Sequence, residues 1–254
     1  MANIIRITNL IDLQFTLNEF LKDDYIYRGI SKEEEIFPKI LREECAEKEL
    51  IILKEFERYY GIYATAHNFW EFVSAAQHYG LMTRLIDFTS NPYVALFFSL
   101  HGAPHDSVRY KIYCLPKRDT QDLFCNSFNS IFEINSEGHV TVTEPSNKNS
   151  FTSIFGFAIE KLKEKQSSVI YTLQPNIGNN RLLMQQGLFV LPIILEKERI
   201  REQLESYSRI LEIDSCLREE ALVFLDKLGY NEFRLMPDLD SVSREINRKI
   251  KNMP

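Results

Sequence analysis

The stretch AAQHYGLMTRLIDFTSNPYVALFFSL, residues 75 to 100, sets His78, Arg84, Asp87, Thr89, Ser90 and Asn91 among apolar and aromatic neighbours. A buried charge is expensive unless it is paired. These groups therefore either satisfy one another or serve a ligand. Asp87 and Thr89 stand two apart, so they share one side of any strand through RLIDFT, and Arg84 faces the other way. Ser90, Asn91 and Pro92 make a helix start whose free backbone N–H groups form a ready anion site. Ordinary capping accounts for those three residues. It leaves His78, Arg84 and Asp87 unexplained.

Two further clusters have the same character. Tyr27-Arg28-Gly29 closes the β-forming run YIYRGI. An arginine is always charged and forks onto phosphates or carboxylates, and a glycine beside it lets a ligand approach the backbone. The plainer explanation is that Arg28 pairs with Asp87 or another buried acid. In NNRLLMQQGLFVLP, Arg181, Gln185 and Gln186 precede Gly187 and a hydrophobic run. Three arginines in such contexts point to a polyanion, and a pyrophosphate or a nucleic-acid backbone fits.

The elements that must position these groups are legible from periodicity. Leu10, Leu13, Leu17, Phe20 and Leu21 recur at helical spacing after the potential caps Thr8 and Asn9. Strands are expected at 25–30, over RLIDFT, and at 109–115, 168–173 and 187–195, with a weaker candidate at 207–213. One long helix is expected from Arg42 to about Tyr63, with Leu50, Leu53, Phe56 and Tyr60 along one face. A second helix, HNFWEFVSAAQHYG, stops at Gly80, and its Trp70 reads as core. The polar chain between Cys125 and Ser150 reads as a long loop or short hairpin. Leu217, Ala221, Phe224, Leu225 and Leu228 mark a helix ending at Gly229. A last helix starts near Asp238 or Asp240, and its REINRKIK is a solvated face and the best candidate for a weak basic patch.

Composition narrows the class. The chain has 254 residues, 44% hydrophobic and 26% charged, enough for one sizeable core and far from a disordered profile. Net charge is −6, so avid non-specific nucleic-acid binding would have to rely on a local basic cleft. Cys45, Cys114, Cys125 and Cys216 form no CxxC pair, and the five histidines show no HxxxH spacing. Free thiols and no metal centre are expected. No apolar run is long enough to span a bilayer and no signal peptide is apparent, so a cytoplasmic location without membrane association is expected.

The order YIYRGI, FPKILRE, AAQHYGLMTRLIDFTSNPYVALFFS, RLLMQQGLF, LMPDLDSVSREI resembles the FRG domain family, named for a (Phe/Tyr)-Arg-Gly motif. The resemblance runs from about Tyr25 to Ile246. It implies one FRG domain over 1–254, with a helical N-terminal segment (about 1–22) and a C-terminal helical tail (about 214–252). That pattern is in turn similar to ADP-ribosyltransferases of the Arg–Ser–Glu type. It implies an α+β fold, a split and mainly antiparallel sheet core wrapped by N- and C-terminal helices.

By the same resemblance NAD is the co-substrate. Tyr27, Arg28 and Gly29 match the first-strand motif whose arginine holds the phosphates and ribose. Thr89 and Ser90 match the polar strand element that shapes the nicotinamide pocket, with Val94, Ala95 and Phe98 on the following helix. The implied catalytic residues are Arg28, His78, Asp87 and Ser90. The implied binding set is Tyr27, Arg28, Gly29, Arg84, Thr89, Ser90, Asn91, Arg181 and Gln186. The third element departs from the pattern, because Arg181 stands where a glutamate belongs. Asp87, Glu133 or Glu160 supplies the carboxylate, or an arginine- and histidine-lined pocket works as in RNA 2′-phosphotransferases, or the site binds without turnover.

The implied activity is transfer of ADP-ribose from NAD to a macromolecular acceptor (RNA, DNA or protein). The implied setting is a toxin of a toxin–antitoxin or phage-defence system, with an antitoxin protein as a possible partner. A non-catalytic nucleotide- or RNA-binding module is the alternative. An internal ion-pair network centred on Arg28 and Asp87 is the plainest explanation. An open cleft lined by Arg28, Thr89, Ser90 and Gln186 would exclude it.

Overall fold

The computed structural model describes residues 3–64, 66, 69–101, 109–117, 132–134, 140–142, 150–164, 170–173 and 180–236, with 243, 247 and 250 beyond them. In chain order the elements are β1 (Asn3–Ile7), α1 (Leu10–Phe20), β2 (Tyr25–Ile30), α2 (Lys39–Arg42), α3 (Glu49–Tyr63), α4 (Phe69–His78), β3 (Ile86–Thr89) and α5 (Pro92–Leu100). There follow β4 (Arg109–Pro116), β5 (Phe132–Ile134), β6 (Val140–Val142), α6 (Phe151–Glu164), β7 (Ile170–Leu173), α7 (Asn180–Met184) and β8 (Gly187–Pro192). The chain then forms α8 (Lys197–Tyr207), β9 (Arg209–Asp214), α9 (Arg218–Lys227) and α10 (Glu232–Leu235).

The fold is mixed α+β. Seven strands form one sheet in the order β1-β9-β4-β2-β3-β8-β7, and β5 pairs with β6 apart from it. Only the β1–β9 pairing is parallel among the described strands. β2 pairs with β4 along its whole length, from Tyr25–Pro116 to Ile30–Lys111. Its pairing with β3 is a single bridge, Tyr27 to Thr89. The sheet is therefore weakly joined at its centre.

Strand residues alternate between faces, and that alternation explains the cores. On one face Ile26, Ile30, Ile86, Phe88, Tyr113, Leu115, Leu188, Val190 and Ile210 make a continuous cluster with Ile200 and Leu204 of α8. The opposite face carries two clusters. Tyr27, Ile112, Cys114 and Leu211 pack against α1, α5 and α9. Phe189 and Leu191 of β8 pack against α3, α4 and α6. β3 lies between these two, and its residues on that side are the polar Asp87 and Thr89.

The expected caps form. Asn9 Oδ1 accepts from Asp12 N at 2.9 Å, and Asn91 Oδ1 accepts from Tyr93 N at 2.9 Å. Gly80 (φ +85°) and Gly229 (φ +82°) stand in the left-handed region just after α4 and α9. The long helix expected from Arg42 to about Tyr63 forms only from Glu49 onward. The chain turns at Glu44, whose φ is +53°, and Cys45 N donates to the Ile40 carbonyl at 2.9 Å before α3 starts. The hairpin option between Cys125 and Ser150 is realised in the β5–β6 backbone pairing. The helix expected from Asp238 or Asp240 lies largely outside the described residues.

Candidate functional site

The gap between the two same-face cores is a cleft of about 890 Å³. One wall is α5, through Val94, Ala95 and Phe98, and the other is α4, through Ser74, Gln77 and His78. Asp87, Phe88 and Thr89 line it from β3, Arg28 and Gly29 from β2, and Arg181 and Gln185 from the segment before β8. The volume falls within the range of small-molecule sites, about 300–1,000 Å³.

Arg28 stands where β2 and β3 part. Beyond the Tyr27–Thr89 bridge its guanidinium spans the strands, with Nη1 donating to the Asp87 carbonyl at 2.5 Å. Nε donates to the Glu35 carbonyl at 2.9 Å, and Nη2 donates to the same oxygen. A guanidinium has five N–H groups, so two remain unused among the described residues. Burial lowers the Arg28 pKa; Asp87 opposes that shift, Arg42 adds to it and Glu35 opposes it. Among the described residues the half-buried cation is bonded to no carboxylate, and the Asp87 carboxylate accepts from Gln77 Nε2 at 3.3 Å. The expected Arg28–Asp87 ion pair is thus absent, and backbone carbonyls hold the arginine instead.

The buried ion pair of this region lies elsewhere. Arg84 (6% exposed) and Glu49 (3% exposed) pair through Nε–Oε2 at 2.8 Å and Nη2–Oε2 at 2.5 Å. Arg84 Nη1 also donates to the Ile193 carbonyl at 2.9 Å. Arg84, expected in the binding set, lies outside the cleft lining and locks α3 to β3 and the end of β8. Three other expected residues are also outside that lining. Asn91 caps α5 and donates to Tyr230 Oη at 3.0 Å. Ser90, one residue past β3, uses its backbone N–H on the Gln186 carbonyl at 3.0 Å. Gln186 is an exposed turn residue at φ +47°. The start of α5 is closed by its own cap, so the side of that helix, and not its N-terminus, faces the cleft.

Within the YRG motif only Arg28 offers polar atoms. Tyr27 is 1% exposed, and its hydroxyl donates to the Phe20 carbonyl at 2.8 Å. Burial raises its pKa. A Cβ on Gly29 would lie 1.8 Å from the Ala95 carbonyl oxygen, so the glycine lets α5 cross β2 closely. That packing, and not ligand approach, excludes a side chain there. Thr89 Oγ1 donates to the Gln185 carbonyl at 2.7 Å and accepts from Asn91 N at 3.1 Å. Residues 23–107, from the approach to β2 through α5, match the FRG domain family model. Over those residues the chain is similar to the FRG domain. No curated protein and no solved structure matches it.

The FRG motif residues make the base and both helical walls of the cleft, while Arg181 and Gln185 come from beyond the matched segment. The structure also brings in residues that sequence reasoning missed, chiefly Arg42, Glu35, Glu71 and Tyr79. The run FPKILRE was a signal for Arg42, since it stands among the motifs shared with the family. Of the carboxylates considered for the missing glutamate, Asp87 is in the cleft and exposed. Glu160 is at the surface, paired with Lys163 at 3.0 Å, and the Glu133 side chain lies outside the described residues. His78 has its pKa lowered by burial and by Arg181 beside it. Among the described residues no group of His, Cys, Asp or Glu is placed to hold a metal ion, and no helix is long and apolar enough to cross a membrane.

Proposed function

We propose that the cleft binds NAD and that the protein transfers ADP-ribose to a macromolecular acceptor, on a sheet related to that of the ADP-ribosyltransferases. The observation that carries this reading is the half-buried Arg28 at the centre of the sheet. Among the described residues it is a cation bonded to no carboxylate, with two N–H groups unused, in a cleft of dinucleotide size. NAD brings a ribose C1′ that becomes electrophilic as nicotinamide leaves with the bonding pair. Asp87 is the carboxylate for the positive charge that develops there. It is exposed to the cleft and hydrogen-bonded to a neutral amide, with no ion pair among the described residues. His78, kept neutral by its surroundings, is suited to take the acceptor's proton. Thr89 and Gln185 position the strand and turn that hold Asp87.

The test is incubation with NAD labelled in its adenylate half, alone and with RNA, DNA or cell extract, comparing the native chain with Asp87→Asn. Asp87 accepts only from Gln77 among the described side chains, so this variant should fold. Label should move to a macromolecule, and the variant should lose about 100-fold or more in rate. Nicotinamide release without transfer would make the protein a glycohydrolase. The alternative, a nucleotide- or RNA-binding module, is favoured by one observation: Arg181 lines the cleft where a glutamate was expected. NAD binding without turnover under all acceptor conditions would select it.

A further inference from the structure

Arg42 is the cleft cation that no motif argument assigned. It is exposed and lines the cleft, and its side chain has no hydrogen bond or ion pair among the described residues. Arg28 lines the same cleft, so the two guanidinium groups border a common region, and the Arg42 charge lowers the Arg28 pKa. Like charges brought together repel, and an anion set between them relieves both.

The two nearby carboxylates act on Arg28 through their charge, but neither pairs with Arg42 among the described residues. Glu35 turns its carboxylate to Ser31 N at 2.7 Å and Lys32 N at 3.3 Å, offering Arg28 only its carbonyl. Asp87 is held by Gln77. Neither reaches Arg42. The position of Arg42 is also fixed. Its short helix is tied to the α4–β3 connection by Lys39 Nζ to the Gly80 carbonyl at 2.6 Å and Ile40 N to the Thr83 carbonyl at 3.4 Å. Ile40 is 0% exposed, so the turn is anchored and presents its arginine outward.

We infer that Arg42 and Arg28 together form a diphosphate-binding subsite, Arg28 from the base of the cleft and Arg42 from its rim. The ligand class is a nucleoside diphosphate or the equivalent half of a dinucleotide. This deepens the reading of the cleft as an NAD site and rests on it for the identity of the nucleotide. It does not depend on catalysis.

The experiment is calorimetric titration of the full chain with ADP, AMP, adenosine and a short phosphodiester oligonucleotide, repeated on Arg42→Gln and Arg42→Lys. ADP should bind more tightly than AMP, and adenosine most weakly. Arg42→Gln should weaken ADP by roughly 10- to 100-fold, the loss of a charge-assisted contact. It should leave adenosine unchanged, and Arg42→Lys should recover part of the loss. Equal binding of ADP and adenosine, no ADP binding, or an Arg42→Gln variant with native ADP affinity would each overturn the subsite. Tighter, Arg42-dependent binding of the oligonucleotide would overturn it in favour of a nucleic-acid backbone. The NAD assay above separates the two readings. Arg42-dependent ADP binding without turnover leaves the subsite standing and removes the transferase. Turnover with an unchanged KM in Arg42→Gln does the reverse.

Discussion

His78 shows how one residue's surroundings set its chemistry. Burial and Arg181 both disfavour its imidazolium, so its folded pKa lies below the ordinary value of about 6.5. A lowered pKa means that the unfolded chain binds the proton more readily. The contribution to stability is therefore complete above that ordinary value and is lost as pH falls through it toward the folded one. A proton NMR titration should give His78 a pKa below that of a free imidazole, and Arg181→Gln should raise it. No change in the variant would leave burial as the sole cause. At this scale the sequence was informative about which residue types gather and silent about which of them face the gap. Arg28, His78, Asp87, Thr89 and Arg181 line the cleft; Arg84, Ser90, Asn91 and Gln186 do not. The difference is partnership. Glu49 lies 35 residues before Arg84, and nothing local announces that the two will meet.

At the scale of elements, that ion pair joins three pieces of chain: α3 through Glu49, the approach to β3 through Arg84, and the end of β8 through the Ile193 carbonyl. Removing one partner strands a buried charge. Glu49→Ala should cost about 3–5 kcal/mol, read as a lower midpoint in urea with little change in slope. A loss below about 1 kcal/mol would mean that water reaches Arg84. Elements with strong local signals were legible, including α1 with its Asn9 cap, α4 with Gly80 behind it, and β2, β3, β4 and β8. Those without such signals were not. β1 was missed because its five residues, two of them on the exposed edge positions 3 and 4, show no clean alternation. α8 was missed because its buried stripe is only Ile200 and Leu204 in an otherwise charged helix. The break before α3 escaped notice because Glu44 takes a left-handed conformation without being glycine.

At the scale of the molecule, the sheet has one continuous core on one face and two separate cores on the other. Net charge is −6, yet three arginines stand beside three carboxylates in the gap, so the cleft does not share the acidic excess of the whole. That fold-level arrangement could not be read from the chain, because the single Tyr27–Thr89 bridge that divides the face is a matter of register. The architecture is that of a bound book. The continuous core is the spine, α5 and α4 are the inner faces of the covers, and one pair of residues is the stitch between the pages. A dinucleotide touching both covers is then a clasp. Hydrogen exchange with ADP present should slow the amides of α4 and α5 together and leave those of α8, on the spine, as they were. Slowing confined to one cover would mean that the ligand rests on one page, and that the book stays free to open.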